Sequence, residues 1–243
     1  MSRVIVTAST RMELSELLHA TSALPVAGGR LPLFRADLGG TELFIAQTGI
    51  GKVNAASATT LLLERYAPDL IVNTGCGGAF AGSGLEVGDL AVAQSECLAD
   101  EGVQTPEGWR GLDLIGIPLY EGRGERIFNT IALDGELARR ALDCAAACGF
   151  RAGLGPFLTV STCSGTAAQG EELLRRFPGV CENMEGAAVA HVALIYGVPC
   201  LEVRGISNMV EARDLARWDL KRAVCEVQRF LAAYLKQCAA ATP

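Results

Sequence analysis

Short apolar runs alternate with longer amphipathic stretches along the whole chain. An apolar run of strand length predicts a β-strand, whereas apolar residues three and four positions apart predict a helix. Strands are therefore predicted at Arg3–Ala8, 41–49, 69–75, 88–100, 153–162 and 198–208. Helices are predicted at 12–24, 51–68, 134–150, 167–177, 184–197 and 214–235.

This alternation predicts an α/β fold, with a single three-layer α/β/α domain around a central mixed, mostly parallel, twisted sheet. A length of 243 residues fits one domain over 1–243 better than two small ones. The Gly-rich, weakly patterned segment 100–130 is expected to be a loop excursion or a rim of the active site. Ligands of such sheets bind beyond the carboxyl ends of the strands, which directs attention to 73–80, 159–166 and 203–208.

Composition and charge narrow the classes of function. Half of the residues are apolar and 20% are charged, which allows a substantial buried core. A net charge of -6 without any basic run argues against nucleic acid as a partner. Apolar runs are too short for a membrane span, and Arg11 and Glu13 interrupt what would be a signal peptide. We therefore expect a cytoplasmic protein with no nucleic-acid and no membrane partner.

Metal and cofactor signatures are missing from the sequence. Nine cysteines include no C-x-x-C pair, and His19 and His191 do not complete a zinc pattern. The cysteines are expected to be buried reduced thiols. Neither the dinucleotide-binding nor the P-loop glycine pattern occurs. No metal and no cofactor are therefore expected.

Several polar residues stand near the predicted strand ends. Glu185 opens a helix of small and apolar residues, where it either complements the helix dipole or accepts hydrogen bonds from two vicinal hydroxyls, as in ribose. Arg204 on an apolar strand needs a carboxylate partner, which makes it a structural ion pair or a site residue. Glu13 near the first predicted helix is equally ambiguous by itself. Three glycines within 73–80 let backbone amides approach a ligand closely.

The order of these features resembles the methylthioadenosine/S-adenosylhomocysteine nucleosidase branch of the nucleoside phosphorylase/nucleosidase superfamily. The resemblance covers essentially the whole chain and rests on the early Glu13, "TGIGKVNAA" (48–56), "NTGCGGAF" (73–80), "ENMEGAAVAHVA" (182–193) and "VRGISN" (203–208). It implies hydrolysis of the bond between a purine and its ribose. It also implies a homo-oligomer, a dimer or larger, that acts on a small-molecule nucleoside.

The resemblance implies a role for individual residues. Glu13 is expected to bind and activate the attacking water, with Arg204 helping to hold it. Glu185 is expected to grip the ribose hydroxyls, with Met184 against the sugar. Further substrate contacts are expected from strand-end and loop residues, namely Cys76, Gly77, Val160, Thr162 and Ser207.

Two positions depart from the adenine-cleaving pattern. Asn208 stands where those nucleosidases carry Asp as general acid, and Cys76 stands where they usually carry Ser. An Asn cannot deliver a proton, so acid catalysis by this side chain is lost. Its amide can still donate to ring nitrogen 7 and toward a 6-oxo group, where an ionised Asp would repel. Asn208 therefore suits hypoxanthine or guanine better than adenine, although an Asn can also turn its oxygen toward an amino group.

"RGISN" followed by "EARD" and Trp218 resembles the futalosine hydrolase family, which releases hypoxanthine from futalosine in menaquinone biosynthesis and leaves dehypoxanthine futalosine. Futalosine carries a carboxyphenyl ketone at the 5′ end of its ribose, for which Arg213 and Trp218 are the candidate contacts. The alternatives are a methylthioadenosine/S-adenosylhomocysteine nucleosidase and a purine nucleoside phosphorylase. A storage or binding protein on the same fold is the alternative without catalysis.

Overall fold

The computed structural model describes residues 2–122, 124–212 and 214–240. The strands are β1 (Arg3–Ala8), β2 (Leu24–Pro25), β3 (Leu33–Leu38), β4 (Thr41–Gln47), β5 (Leu70–Ala79), β6 (Leu90–Leu98), β7 (Val103–Thr105), β8 (Gly108–Arg110), β9 (Tyr120–Gly122), β10 (Glu125–Ile127), β11 (Thr130–Ala132), β12 (Ala152–Thr159), β13 (Cys181–Asn183) and β14 (Cys200–Met209). The helices are α1 (Ser15–Ala20), α2 (Lys52–Tyr66), α3 (Gly135–Ala147), α4 (Ala167–Arg176), α5 (Gly186–Tyr196) and α6 (Leu220–Ala240).

The two faces of β1 show how the layers form. Successive side chains of a strand point to opposite faces of the sheet. Val4 and Val6 pack with α1, α3 and α6, whereas Ile5 between them packs with α2 and α5. Helices therefore cover both faces of the sheet, and the predicted three-layer α/β class is confirmed.

The central sheet is mixed, as predicted. β1 pairs in parallel with β4 and β5, β12 with β6 and β13, and β14 with β5. Antiparallel pairings join β13 to β5 and β14 to β6. The path from β5 through β14, β6, β12 and β13 thus returns to β5, which closes this part of the sheet into a ring. The periodicity did not predict this closure, because it does not record which strands pair, and here β5 and β6 each pair with three strands.

The observed bounds of several helices and strands differ from the predicted bounds where the chain forms turns. The helix predicted over 12–24 is only six residues long, Ser15–Ala20, because residues 9–14 form turns that position Glu13. Strand β2 begins at Leu24, where the predicted helix was expected to end, and residues 25–38, for which no element is predicted, contain the rest of β2 and β3. The segment 100–130 contains the paired strands β7 and β8, then β9 and β10, with a 3₁₀ turn at Leu112–Leu114 between the pairs.

Parallel strands bring their carboxyl ends to one edge of the sheet, where a ligand can meet several of them. The chain after β1, the end of β5 and the end of β14 lie together at this edge. The start of α5 reaches the same edge because β13 pairs with β5. Among the described residues, no helix is long and apolar enough to cross a membrane.

Candidate active site

A cavity of about 300 Å³ lies at this edge of the sheet. The cavity is lined by the turn after β1, the turn before α2, the end of β5 and the loop before α4. The chain from β13 to α5, and β14 with the segment that follows it to the start of α6, complete the wall. The lining residues are Ser9, Thr10, Met12, Glu13, Ile50, Cys76, Gly77, Gly78, Cys163, Ser164, Glu182, Asn183, Met184, Glu185, Arg204, Ser207, Asn208, Trp218 and Leu220.

Glu13 is held on the cavity wall by a set of donors. Its Oε2 accepts from Ser9 Oγ at 2.8 Å, from Thr10 N at 2.9 Å and from Thr10 Oγ1 at 2.8 Å. Its Oε1 accepts from Cys76 N at 3.0 Å. The side chain is 3% exposed. Because Oε2 has three donors and Oε1 has one from the backbone, the orientation of the carboxylate is set before any ligand binds.

Gly75 allows the carboxylate of Glu13 and the guanidinium of Arg204 to approach the same point of β5. A Cβ at this position would lie 2.6 Å from Glu13 Oε1 and 3.1 Å from Arg204 Nη1. The backbone of Cys76 then connects the two groups, since its N–H donates to Glu13 and its carbonyl accepts from Arg204 Nη1 at 3.0 Å. A side chain at position 75 would displace one of the two charged groups.

Arg204 is 2% exposed and lies between carboxylates. Its Nε donates to Glu202 Oε1 at 2.8 Å, and its Nη1 donates to Glu185 Oε2 at 3.3 Å. Burial opposes the charged form, but the charges of Glu202 and Glu185 outweigh it and raise the pKa of the guanidinium above its ordinary value. Arg204 is therefore a permanent cation at the floor of the cavity.

Glu185 stands at the N-cap of α5, yet another residue caps the helix. Asn183 Oδ1 accepts from the backbone N–H of Glu185 at 3.0 Å and of Gly186 at 2.7 Å. The carboxylate of Glu185 instead accepts from Gly51 N at 2.9 Å and from Arg204. Since the helix terminus is satisfied by Asn183, the Glu185 carboxylate is available on the cavity wall.

Glu182 and Asn208 flank Gly78 at the other end of the cavity. Both residues are register partners of Gly78, one through β13 and the other through β14. Asn208 Nδ2 donates to Met209 O at 3.1 Å, and an amide nitrogen carries a second hydrogen. The Glu182 carboxylate accepts from Ser164 N at 3.0 Å and Ser164 Oγ at 2.6 Å. This end of the cavity thus offers an amide donor opposite a carboxylate acceptor, across a residue without a side chain.

The residues predicted for the site divide into three groups. Those that line the cavity are Glu13, Cys76, Gly77, Met184, Glu185, Arg204, Ser207, Asn208 and Trp218. Val160 and Thr162 do not line it, because Val160 is 1% exposed in an apolar cluster with Phe80 and Thr162 points to solvent. Cys163 and Ser164 of the same loop take their place. Arg213 lies outside the described residues. The roles assigned to these residues stay predictions.

Ten of the lining residues were not among the predicted site residues, namely Ser9, Thr10, Met12, Ile50, Gly78, Cys163, Ser164, Glu182, Asn183 and Leu220. Glu182 and Asn183 belong to a strand of three residues, which is too short to produce a periodic signal. Their position directly before the "MEG" triplet was the available signal, since Asn is a preferred residue at helix starts. Glu182 could be found in the same way as Arg204, as a charged residue in a buried strand.

Acidic side chains outnumber basic ones on the cavity wall. Arg204 is the one basic side chain among the described lining residues, whereas Glu13, Glu182 and Glu185 are carboxylates. Burial, assisted by the charge of Glu13, raises the pKa of Cys76 to about 12, so its thiol is neutral at physiological pH. In the part of the chain that the structure describes, no group of three or more His, Cys, Asp or Glu side chains could hold a metal ion.

Comparison with known proteins places this site in context. Residues 2–236 match the model of the phosphorylase superfamily. Futalosine hydrolase from Thermus thermophilus is 35% identical over 196 residues, which cover 79% of this chain and 80% of the relative. The 5′-methylthioadenosine/S-adenosylhomocysteine nucleosidase from Geobacillus thermodenitrificans is 34% identical over 185 residues, covering 76% and 73%. The solved structure of the corresponding nucleosidase from Neisseria meningitidis has a TM-score of 0.84 at 24% identity, covering 98% of this chain and 100% of that one.

Proposed function

This chain belongs to the phosphorylase superfamily, and from that premise we propose that it hydrolyses the N-glycosidic bond of futalosine, a 5′-modified 6-oxopurine nucleoside. The products are hypoxanthine and dehypoxanthine futalosine. Its relatives are named as hydrolases and nucleosidases, and the chain is accordingly an N-glycosyl hydrolase that acts on purine nucleosides. The relatives divide between two substrates at similar identity, so the choice of substrate rests on the site.

The observation that carries the choice of base is Asn208 on the cavity wall, opposite Glu182. A 6-oxopurine has acceptors at ring nitrogen 7 and at the 6-oxo oxygen, and a donor at ring nitrogen 1. The Asn208 amide donates to the acceptors, and the Glu182 carboxylate accepts from the donor. Adenine has an acceptor at nitrogen 1, which a carboxylate opposes. Sites built on such polar contacts discriminate strongly against a base that leaves them unpaired.

The reaction follows from the positions of the charged groups. As the glycosidic bond breaks, the ribose becomes oxocarbenium-like and the departing purine gains negative charge, which the Asn208 amide stabilises. Glu185 accepts hydrogen bonds from the ribose hydroxyls. Glu13 takes a proton from water, whose oxygen forms the new bond to the anomeric carbon, and the released purine anion takes up a proton from solvent water. Arg204 holds Glu185 through a hydrogen bond and lies beside Glu13 across Gly75.

Water is favoured over phosphate as the nucleophile by the charge of the cavity. A phosphate dianion is bound in proteins by several cationic or backbone donors. The described lining residues offer Arg204 as a single cation, which is already paired with Glu185 and Glu202. Glu13 occupies the position next to Arg204 and would repel the anion. The rate is therefore expected to be independent of added phosphate.

The mouth of the cavity suits an apolar 5′ group. Met12 and Ile50 line it and are 45% and 59% exposed. Trp218 and Leu220 line the same cavity, and Trp218 is half-buried. An aromatic ketone of the futalosine type would cover apolar surface that otherwise faces water. Trp218 is therefore retained as the candidate contact for this group.

The test is product analysis by liquid chromatography after incubation with futalosine, inosine, adenosine or methylthioadenosine, with and without phosphate. We expect hypoxanthine from futalosine, no phosphate requirement, and much slower release of base from the other three nucleosides. Adenine from methylthioadenosine with futalosine left intact would replace the proposal by the nucleosidase alternative. Release of base only when phosphate is present would establish a phosphorylase.

A further inference from the structure

Two carboxyl groups meet beneath the site without reaching the cavity. Glu96 on β6 and Glu202 on β14 are both 0% exposed, and neither lines the cavity. A Cβ on Gly186, at the start of α5, would overlap Glu96 Oε1 and both carboxyl oxygens of Glu202. Oxygens of both carboxyl groups therefore border the same small buried space. The absence of a side chain at Gly186 thus leaves the space in which the two carboxyl groups meet.

Two carboxyl groups that share a buried space can form a hydrogen bond to each other only if one of them carries a proton. Two ionised carboxylates offer only acceptors and would repel each other there. Glu202 Oε1 accepts from Arg204 Nε at 2.8 Å and Asn73 Nδ2 at 3.0 Å, whereas Glu202 Oε2 is buried with no donor from the other described residues. A proton on Glu96 supplies the missing donor. Burial and the charge of Glu202 both raise the pKa of Glu96, which agrees with this arrangement.

We propose that Glu96 and Glu202 share one proton, carried by Glu96, and that the pair positions Arg204 and Glu185. Ionised Glu202 binds Arg204 Nε. Glu96 accepts from Asn183 Nδ2 at 2.7 Å, and Asn183 Oδ1 accepts from the backbone N–H of Glu185. One end of the pair therefore orients the guanidinium and the other orients the start of α5. Both are positioning residues, since neither reaches the cavity.

The remaining ionisable groups around the pair favour a single negative charge on it. They come from four elements: Arg204 and Cys200 of β14, Cys181 of β13, Glu185 at the start of α5, and Cys97 of β6. Burial raises the pKa values of the three thiols, so these stay neutral. Arg204 is the cation, and it already has Glu202 and Glu185 as partners. A second charge on Glu96 would have no cation of its own.

The matched variants Glu96→Gln and Glu202→Gln test the pair. Glutamine mimics a protonated glutamate, so Glu96→Gln is expected to retain kcat/KM within about threefold on the purine nucleoside that the wild type cleaves best. Glu202→Gln removes the charge that holds Arg204, and kcat/KM is expected to fall on the order of a hundredfold. Glu202→Asp keeps the charge and is expected to recover part of that loss. Equal losses in the two Gln variants, or an unfolded Glu96→Gln protein, would overturn the proposal.

A second measurement needs no substrate, so its failure is distinguishable from failure of the proposed function. In the unfolded chain Glu96 loses its proton near pH 4.3, whereas the folded protein retains it. The folded state then binds more protons, and this group makes stability fall as pH rises above that value. Urea unfolding of the wild type and of Glu96→Gln is compared over this range. We expect the slope of stability against pH to be more negative in the wild type than in the variant, and identical slopes would show that Glu96 carries no proton.

Discussion

The sugar end and the base end of the cavity are built in different ways. The sugar end consists of Glu13, Glu185 and Arg204, which are 3%, 5% and 2% exposed and linked by hydrogen bonds through the backbone of β5 and the start of α5. At the base end, Asn208 and Ser164 are half-buried, and Asn208 is hydrogen-bonded to its chain neighbours Ser207 and Met209, whereas Ser164 donates to the buried Glu182. Buried charges are stable only with a full set of partners, so residues at the sugar end depend on one another. Asn208 is hydrogen-bonded to its chain neighbours and not to the buried charges, so it can change singly, which makes its position the place where substrate choice can vary.

The largest effect is expected from Glu13→Gln, at the sugar end. Removal of the base that accepts the proton of water should lower kcat by on the order of 10²–10⁴ with little change in KM. Steady-state kinetics on the preferred nucleoside measures this. Glu16→Gln, an exposed change on α1, is the matched control and should leave kcat unaltered. If both variants behave alike, Glu13 is not the base.

Glu185→Gln should have the next largest effect, a loss of kcat/KM on the order of a hundredfold. The amide accepts fewer hydrogen bonds from the ribose diol than the carboxylate does. A 2′-deoxynucleoside provides the control, since it has lost one of the hydroxyls before the mutation is made. Glu185→Gln should therefore lower kcat/KM less for the 2′-deoxynucleoside than for the ribonucleoside. Equal losses would place Glu185 in a purely structural role.

Asn208→Asp sharpens the comparison because it should alter selectivity more than catalysis. A buried polar group left without its partner costs about 1–3 kcal/mol, or roughly ten- to a hundredfold in rate. Cleavage of a 6-oxopurine nucleoside should decrease by this factor relative to its 6-amino counterpart. The measurement is the ratio of kcat/KM for the two substrates. Glu182→Gln should shift the ratio in the same direction, and an unchanged ratio in both variants would remove this account of base choice.

The smallest effect is expected from Cys76→Ser. The Cys76 thiol lies 3.5 Å from Glu13 Oε1, and a hydroxyl can make the same contact. We expect kcat/KM within about threefold of the wild type, because the main contact is made by the Cys76 backbone N–H. Burial raises the pKa of this thiol to about 12, so it is protonated at lower pH and contributes no titration below that value. A pH–rate profile that differs between wild type and Cys76→Ser below pH 9 would contradict this.

Sequence reasoning succeeded where local pattern carries the information. The strands β1 and β14 and the helices α2, α3 and α5 were predicted close to their observed positions, because each is long enough to show its period. Helix α1 and strands β2, β3 and β13 were not, because turns or short length obscure the period. The candidates Glu13, Glu185 and Arg204 came from charge in apolar surroundings and from the resemblance, and the structure places all three on one cavity.

The amino-acid sequence by itself determined the α/β class, the family and the set of charged side chains near the strand ends. Only the tertiary structure decided how these side chains meet. Val160 was expected to contact the purine base. The hydrogen bond from Ser164 to Glu182 instead sets the path of that loop and brings Ser164 to the cavity. The meeting of Glu96 and Glu202 likewise depends on the pairing of β6 with β14. The physical reason is that periodicity records the face on which a residue lies, whereas strand pairing is selected by contacts between distant segments.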